Sequence, residues 1–501
     1  MTFNPGNGGF SNVIMTTVSK VNMPGETEVF DKLRELVFRE IKKLPSDEQI
    51  NIRNGGESAK RAKKLIVSVL ESEKLKFDSS PNMGRFPTQP ITELCEKIFS
   101  LMYSLGPLDA ILATDIEDIA INGAHEIMVR DSSGWSPMPK ELIEQVGDGN
   151  AILSMLNLAI SNSGQQASNI QPIVDDKLPN GHRISIVTEP VAADGIIPLA
   201  VIRKHKEVNF TMEDFVCRPV KVHPPKKYKL IDLSDRWHPD ALLSPAASAF
   251  LQACMYASLN VILIGATGVG KTSFLSNIGG FIPYDRRMLV LEDTRELKFR
   301  PGDTPQNCIY MTTVLKRLEG GTQVTMDTLV KTALRQRPDH LILGESRGAE
   351  MWDLLNAMQT GHAGNLTSVH AISSGNLIDR VKYMVSLPPA SIHLSTVEAS
   401  KLIGSSFNVA ITLLMSNDGR RHVKEITAFT GDLTSENLPE LEYLFLGGGP
   451  ENGYRLQIQK ETTSLEPMFK KVGLSFSDIV AIADKESQLL EAFREKQKIA
   501  E

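Results

Sequence analysis

An apolar run that ends in a glycine-rich loop constrains this chain more than any other feature. Residues 260–264 read NVILI, and the next eight residues, GATGVGKT, match the pattern G-x-x-x-x-G-K-[ST] in full. Glycines let the backbone bend so that successive N–H groups point at phosphate oxygens, and a helix start adds partial positive charge. The segment therefore predicts a buried strand, a phosphate-binding loop and a helix, in a context that disfavours a chance match. The predicted loop consists of Gly265, Ala266, Thr267, Gly268, Val269, Gly270, Lys271 and Thr272.

Two side chains of this loop carry its expected chemistry. Lys271 is expected to reach the β- and γ-phosphates of a bound nucleotide, and the Thr272 hydroxyl is expected to bind Mg²⁺. The sequence therefore predicts ATP and Mg²⁺ as cofactors.

From Pro245 onward, short apolar strands alternate with helical segments. Strands are predicted at 288–291, 340–343 and 365–370, with helices between them. This alternation is typical of a mostly parallel sheet covered on both faces. Upstream, helical spacing gives way to strands that begin at Ile119, which is an α+β pattern.

These patterns together predict an α/β fold class, with a RecA-like P-loop ATPase domain preceded by a smaller α+β domain and an N-terminal helical region. We expect a flexible tail at 1–27, a helical region at 28–105, an α+β domain at 106–204, a linker at 205–243, a RecA-like domain at 244–430 and a C-terminal extension with a terminal helix at 431–501.

An acidic residue follows the predicted strand at 340–343. Glu345 lies in the segment LGESRG, at the carboxyl end of that strand, where α/β sheets bind their ligands. There it can orient or deprotonate an attacking water. The alternative is a glutamate that only complements a helix dipole. The position of Glu345 on a core strand some 70 residues after the P-loop favours catalysis.

Two further blocks follow predicted strands of the same sheet. In LEDTREL, Glu292 or Asp293 can support Mg²⁺ through water or position the nucleophile, whereas the alternative is a solvated acidic turn. In TGHAGNLTSVHA, His362 and His370 bracket an apolar strand. A metal site would need more ligands at suitable spacing. A structural histidine is the common case, and His370 is the candidate sensor of the γ-phosphate.

Composition limits the functional classes and the compartment. The net charge is −6 and the pI is about 6.0, so the basic footprint of a dedicated nucleic-acid binder is absent from the overall balance. The four cysteines are scattered without a CxxC pair, which fits a reducing compartment. Neither a secretory signal nor an apolar run of membrane-spanning length is found. We therefore expect a cytoplasmic protein without direct membrane insertion.

The order of four blocks resembles one known superfamily. GATGVGKT, LEDTREL, LRQRPDHLILGESRG and TGHAGNLTSVHA follow one another as do the Walker A, Asp box, Walker B and His box of the secretion ATPases of type II secretion, type IV pili and type IV secretion. Segments at 105–109, 118–123, 178–184 and 201–204 are similar to the N-terminal domain of CpaF-like tight-adherence pilus ATPases and of the related conjugation and effector-secretion ATPases. The long linker and the extended C-terminus depart from that pattern.

The resemblance implies further site residues and partners. Arg183 and Arg203 match arginines of the N-terminal domain that close over the nucleotide in that family, and without the resemblance each would be read as a surface cation. A mobile arginine that reaches the γ-phosphate stabilises developing charge and couples hydrolysis to domain motion. The family further implies a hexameric homo-oligomer and partners among the inner-membrane components of a secretion or pilus machine.

The sequence-based hypothesis is an ATP-hydrolysing ring motor, peripherally attached to the inner membrane through partners, that powers pilus assembly or substrate traffic. Direct nucleic-acid binding is not expected. Two alternatives remain open at this point. One is a RecA-type nucleic-acid motor, and the other is a nucleotide-dependent regulatory switch with little turnover.

Overall fold

The structure is a computed structural model of the whole chain. It describes residues 24–41, 43–44, 52, 56–79, 86–103, 105, 107–160, 165–178, 181–205, 226–239, 241–299, 307–314, 323–371, 374–417, 419–449 and 454–500. Most of the predicted flexible tail and the linker residues 206–225 lie outside these ranges.

Three amphipathic helices form the N-terminal part of the described chain. They are α1 (Pro24–Ile41), α2 (Gly56–Ser79) and α3 (Ile91–Tyr103). Each helix contributes a fully buried residue to their shared core, namely Leu33, Ile66 and Leu94. Helix α1 begins at Pro24, four residues before the predicted helix start at 28, so residues 24–27 are helical and do not belong to a flexible tail.

A six-stranded antiparallel sheet follows, with three helices packed against it. Its strands lie in the order β3-β2-β1-β6-β5-β4, and every neighbouring pair is antiparallel. The core between sheet and helices contains Ile119, Ile121, Leu156 and Ile186. The elements are α4 (Pro107–Leu112), β1 (Asp118–Asn122), β2 (Ile127–Asp131), β3 (Gly134–Pro137), α5 (Lys140–Val146), α6 (Gly149–Ile160), β4 (Ile173–Lys177), β5 (Arg183–Val187) and β6 (Leu199–Arg203).

A nine-stranded sheet forms the centre of the second half of the chain, in the order β15-β14-β13-β12-β7-β11-β10-β8-β9. The six strands from β12 to β9 are parallel, and the three others add to β12 in antiparallel fashion. The strands are β7 (Val261–Ile264), β8 (Met288–Glu292), β9 (Cys308–Thr312), β10 (His340–Leu343), β11 (Leu366–Val369), β12 (Val409–Met415), β13 (Arg421–Leu433), β14 (Pro439–Gly447) and β15 (Leu456–Ile458).

Both faces of the parallel part are covered, as the apolar strands predict. Val261 and Leu263 of β7 point into one hydrophobic core, and Ile262 and Ile264 point into the other. The sheet therefore has a rigid, fully buried centre. The helices of this half are α7 (Pro245–Tyr256), α8 (Lys271–Gly279), α9 (Met326–Arg335), α10 (Glu350–Gln359), α11 (Ser374–Ser386), α12 (Thr396–Ser406), α13 (Glu466–Lys471) and α14 (Phe476–Ala500).

The two sheets meet at the amino-terminal edge of the parallel strands. Arg287, which precedes β8, is fully buried there. Its NH1 donates to Asn122 Oδ1 of β1 at 2.8 Å and to Asn307 Oδ1 at 2.5 Å, and its Nε donates to the Gln336 carbonyl oxygen at 2.7 Å. The Gln336 side chain donates in turn to the carbonyl oxygen of Ser185 at 3.1 Å. One buried guanidinium thus connects both sheets.

The C-terminal extension packs against the part of the linker that the structure describes. Lys485 of α14 forms ion pairs with Asp232 and Asp235 at 3.0 and 3.1 Å. The Tyr228 ring stacks on Tyr256 of α7 with 4.6 Å between ring centroids. These contacts fix residues 226–239 to the nine-stranded half of the molecule. Within the described ranges, no helix has the length and apolar character needed to cross a membrane.

Candidate functional site

The glycine-rich loop joins β7 to α8 in the predicted strand–loop–helix arrangement. Gly268 and Gly270 have φ values of +80° and +95°, which L side chains rarely adopt. A Cβ atom on Gly265 would lie 2.7 Å from the Leu413 carbonyl oxygen and 2.8 Å from Val269 Cγ2. Only glycine therefore fits at 265, and the backbone can curl with its N–H groups free to face a phosphate.

Lys271 is held inside this loop. Its side chain is buried, and its Nζ donates to the carbonyl oxygens of Gly265 and Ala266 at 2.9 and 3.0 Å. Burial lowers the pKa of Lys271 from its ordinary value, while Glu345 opposes that shift. The ammonium group is thus positioned at the loop, where a phosphate would offer it a stronger partner than a carbonyl oxygen.

Glu345 follows β10 and faces the P-loop across the edge of the sheet. Its Oε1 lies 2.8 Å from His370 Nε2, and Arg347 NH2 donates to its Oε2 at 2.9 Å. Burial raises the pKa of Glu345, but Arg347, His370 and Lys271 together outweigh burial and lower it below its ordinary value. Glu345 is therefore an ionised, half-enclosed carboxylate, as a base that orients or deprotonates water needs to be.

His370, just after β11, connects the other two groups. Its Nδ1 lies 3.2 Å from Lys271 Nζ and 3.5 Å from Thr267 Oγ1, while its Nε2 faces Glu345. Because β7, β10 and β11 are parallel neighbours, the residues that follow them meet at one edge. The sequence-predicted trio of Lys271, Glu345 and His370 is therefore assembled by the sheet topology.

Glu292 ends β8 at the same edge, but both of its oxygens are already engaged. Its Oε1 accepts hydrogen bonds from the backbone N–H groups of Glu296 and Leu297 at 3.0 and 2.7 Å. Burial raises the pKa of Glu292, although those two donors and Arg295 act to lower it. A Cβ on Gly344 would lie only 3.3 Å from Glu292 Cγ, so this carboxylate adjoins the strand end that carries Glu345. Glu292 shapes the loop after β8, and its Oε2 accepts from Arg295 NH1 at 3.4 Å.

Arg183 and Arg203 are not brought to the P-loop of their own chain. They lie opposite each other on β5 and β6 and line an open cavity of about 500 Å³ together with Arg335, which precedes β10. Arg203 Nε lies 3.2 Å from Asp118 Oδ1. Since the P-loop follows β7 at the carboxyl edge, the length of a whole strand separates the two places, about 13 Å for four residues. The expected closure of these arginines over their own nucleotide is therefore not the arrangement in this structure.

Two residues near the site were missed by the sequence reasoning. Glu350 Oε1 accepts from the backbone N–H groups of Arg347 and Gly348 at 2.6 and 2.8 Å, and so fixes the loop that carries Glu345. Arg421, at the start of β13, has its Cδ 3.7 Å from where a Cβ on Gly270 would be. An acidic residue in a first helical turn gives a local signal for Glu350. Arg421 gives none, because only the tertiary fold places it beside the loop.

Comparison with known proteins decides which family this chain belongs to. Residues 150–424, more than half of the chain, match the family described as "Type II/IV secretion system protein". The chain belongs to this family. The secretion ATPase resemblance carried by the four ordered blocks is thereby confirmed, and so is the prediction that the protein is an ATPase that uses a nucleotide.

Individual relatives give the same result. The type IV secretion system protein VirB11 of Bartonella henselae is 28% identical over 303 residues, which cover 58% of this chain and 82% of VirB11. The type IV secretion system protein PtlH of Bordetella pertussis is 27% identical over 323 residues, covering 62% of this chain and 90% of PtlH. The solved VirB11 ATPase of Brucella suis, in complex with sulphate, superposes with a TM-score of 0.53 at 26% identity, covering 66% of this chain and 94% of that one. The predicted RecA-like fold class is thus confirmed.

Proposed function

We propose that this secretion-family ATPase works as a ring of identical copies that converts ATP hydrolysis into substrate traffic through a type IV secretion machine. The single observation that carries the proposal is the constellation of Lys271, His370 and Glu345, linked at 3.2 and 2.8 Å across one sheet edge. It joins a phosphate-binding cation to an ionised carboxylate that can activate water. The relatives VirB11 and PtlH are type IV secretion system proteins, which favours type IV secretion over pilus assembly.

The roles of the side chains follow from their places. Lys271 exchanges its carbonyl partners for the β- and γ-phosphates, and Glu345 orients or deprotonates the attacking water. His370, in contact with both, relays the presence of the γ-phosphate from one to the other. Glu292 supports this arrangement by holding the loop after β8.

Mg²⁺ is part of this proposal. The residues present fit it, since Thr272 lies beside the loop on the first turn of α8 and Glu292 and Glu345 end neighbouring strands at the same edge. Hydroxyl and carboxylate oxygens are the ligands that Mg²⁺ prefers, with Thr272 as the direct one. When bound, the ion would neutralise charge on the phosphates.

Arg183 and Arg203 serve the nucleotide of a neighbouring copy in this proposal. Lys177, Arg183, Arg203 and Arg335 supply four cations to one cavity, against the carboxylates of Asp175 and Asp176. None of the described residues that line the cavity belongs to the P-loop, so in this proposal the cavity receives an anion from another subunit. A head-to-tail contact of this kind closes into a ring when the rotation between subunits permits, and a hexamer is the closed form that we propose.

Domain motion would then transmit the work. We place the helical region at 24–105, the α+β domain at 106–204 and the linker at 205–243. The sheet of the ATPase domain continues through β15, which ends at Ile458, and the helices of the extension follow it. Binding and loss of the γ-phosphate alter the attraction between an arginine of one copy and the nucleotide site of the next. The subunits would therefore open and close in turn. Inner-membrane components of the machine would hold the ring at the cytoplasmic surface.

ATP turnover measured against oligomeric state tests the proposal. Specific activity should rise with protein concentration as rings form, as followed by light scattering, and Lys271→Ala should abolish both nucleotide binding and turnover. Lys460→Ala, at an exposed position outside the site, is the matched control. Turnover that is already maximal in a monomer would overturn the ring.

A further inference from the structure

A second cavity lies where four segments of the chain meet, at the amino-terminal edge of the parallel strands. It has a volume of about 290 Å³ and lies between the β2–β3 hairpin, the linker at 226–228, the approach to β8 and the end of α13. It is separate from the P-loop and from the cavity around Arg203. Each of the two sheets, the linker and the C-terminal extension thus contributes to one site.

The charged groups around this cavity are unbalanced. Four cations line it, namely Arg130, Lys226, Arg286 and Lys471, whereas only two carboxylates do so, Asp285 and Asp339. Arg130 NH1 contacts Asp339 at 3.4 Å, and outside the cavity Arg130 Nε lies 3.7 Å from Glu117. Lys226 pairs with Asp285.

One carboxylate is shared further. Asp339 Oδ2 accepts from the backbone N–H of Arg287 at 2.9 Å, so its two oxygens are both engaged. Two cations therefore remain without a carboxylate in the cavity. Burial and the nearby Arg286 lower the pKa of Lys226, with Asp339 opposing them, which is the direction expected where positive charges crowd together.

Hydrogen-bond donors around the cavity also lack acceptors. The indole Nε1 of Trp135 is buried, with the side chain only 6% exposed, and it has no hydrogen-bond partner within the described part of the chain. The same holds for Arg286 Nε and for the Tyr228 hydroxyl. A buried donor without an acceptor is costly, so folded proteins normally satisfy such groups with protein, water or ligand. All three residues line the same cavity.

The Trp135 ring strengthens the positive character of the site. The guanidinium groups of Arg130 and Arg287 lie 5.8 and 5.6 Å from its ring centroid. Both are within reach of a cation–π interaction with the indole ring, and the indole N–H stays available as a donor. A cavity that offers cations and N–H or O–H donors, with its carboxylates already engaged, suits an oxyanion and disfavours a metal cation.

We propose that this interdomain cavity binds the phosphate group of a phosphate ester, with Trp135 Nε1, the Tyr228 hydroxyl, Arg286 and Lys471 as its donors. Phosphate offers several strong acceptors and up to two negative charges, which match the unused donors and the two unbalanced cations. Because the cavity is formed by both sheets and the linker, a bound phosphate would hold them together and restrain the domain motion of the motor. The ester could be a soluble metabolite or a phospholipid headgroup.

Isothermal titration of the full chain with inorganic phosphate tests the site. Lys271→Ala first disables the P-loop and Arg203→Ala disables the cavity around Arg203, so that the remaining binding reports on the second cavity. We expect one phosphate to bind, and Arg286→Gln and Trp135→Phe each to raise the dissociation constant by about tenfold, the effect of one charge-assisted hydrogen bond. Lys471→Gln should act in the same direction, whereas Lys470→Gln, on the neighbouring residue of α13 and outside the cavity, should change nothing.

The source of the phosphate is separated by a second arm. Phosphatidylglycerol in phosphatidylcholine vesicles replaces inorganic phosphate in a flotation assay with the same variants. Binding of vesicles but not of soluble phosphate, with the same variant pattern, assigns a lipid headgroup. The proposal is overturned if neither probe binds the chain with Lys271→Ala and Arg203→Ala, or if Arg286→Gln and Lys471→Gln bind as tightly as Lys470→Gln. Circular dichroism melts check that each variant is folded. This test does not depend on turnover or on ring formation.

Discussion

Glu345 Oε1 lies 2.8 Å from His370 Nε2, so the candidate base and the histidine after the next strand form one unit. The other nitrogen of the ring, Nδ1, lies 3.2 Å from Lys271 Nζ. An ammonium group can only donate, so Nδ1 accepts and the proton of a neutral ring resides on Nε2, the nitrogen beside Glu345. When Lys271 moves to a phosphate, Nδ1 loses its donor. His370 thereby links occupancy of the P-loop to the environment of the base.

Glu345→Gln should retain nucleotide binding and lose turnover. The amide has nearly the shape of the carboxylate but cannot accept a proton from water, and general bases contribute about 10²–10⁴-fold to rate. We expect kcat to fall within that range while the ATP dissociation constant changes little, as measured by steady-state turnover and a fluorescent nucleotide. Glu461→Gln, at an exposed position away from the site, is the control. Turnover of Glu345→Gln at the wild-type rate would remove Glu345 from the catalytic role.

Arg347→Gln should move the acid limb of the pH–rate profile. Burial raises the pKa of Glu345, and Arg347 is foremost among the groups that bring it below its ordinary value of 4.5. Without that guanidinium, the pKa rises and the carboxylate protonates at higher pH, so kcat/KM should begin to fall at a higher pH than in the parent. The acid limb is measured on the free enzyme as kcat/KM against pH.

The comparison variant for this shift is Arg494→Gln, which removes an exposed arginine of α14. Its acid limb should coincide with that of the parent. If Arg347→Gln also leaves the limb in place, the base that titrates in the profile is not Glu345.

The carboxyl edge of the sheet was predictable because its signals are local. Each functional residue there follows a short apolar strand, and parallel strands bring their carboxyl ends to one edge. The sequence alone could therefore place Lys271, Glu345 and His370 together. The amino edge had no such signal. Asn122 and Arg287 are 165 residues apart, and nothing in either segment marks them as partners.

The position of the arginines illustrates the same limit. A resemblance can identify Arg183 and Arg203 as residues of interest, but which copy's nucleotide they reach depends on how the two sheets dock. That docking is set by buried polar contacts such as those from Gln336 to Ser185, 151 residues away, and by the path of the linker. Composition and periodicity carry no information on these long-range contacts or on the path of the linker.

Arg287→Ala should destabilise the contact between the two sheets. Its side chain is fully buried and makes three hydrogen bonds. Its loss would leave Asn122 Oδ1 and the Gln336 carbonyl oxygen without this donor, whereas Asn307 Oδ1 keeps the Asn122 amide as a donor. Breaking a buried polar network of this kind costs about 3–5 kcal/mol. Thermal melts should show a lower transition temperature, and hydrogen exchange should rise in β1 and in the segment before β8.

Arg287→Lys is the informative companion, since it retains the charge. A lysine cannot reach three acceptors in the fixed geometry of a guanidinium, so we expect most of the destabilisation to persist. Full recovery of the melting temperature by lysine would mean that charge alone, and not the fork of donors, holds the interface.

Mixing two inactive variants should restore turnover if arginines act on the neighbouring copy. Lys271→Ala lacks a working P-loop and retains Arg203, whereas Arg203→Ala has the reverse defect. In a mixed ring, a P-loop from one variant meets an arginine from the other, and a random equimolar mixture should recover about one quarter of the parent activity. Arg203 lies with Asp118 and Arg337 at the amino edge, far from its own P-loop, which is why the two functions can be divided between copies. Turnover is measured after the variants have been mixed and allowed to exchange subunits. In the control mixture, Arg494→Ala replaces Arg203→Ala, and the sites of these control copies should already be active before mixing. Were the arginine to act within its own chain, every copy in the test mixture would keep one defect, and mixing would leave the activity as low as in either variant alone.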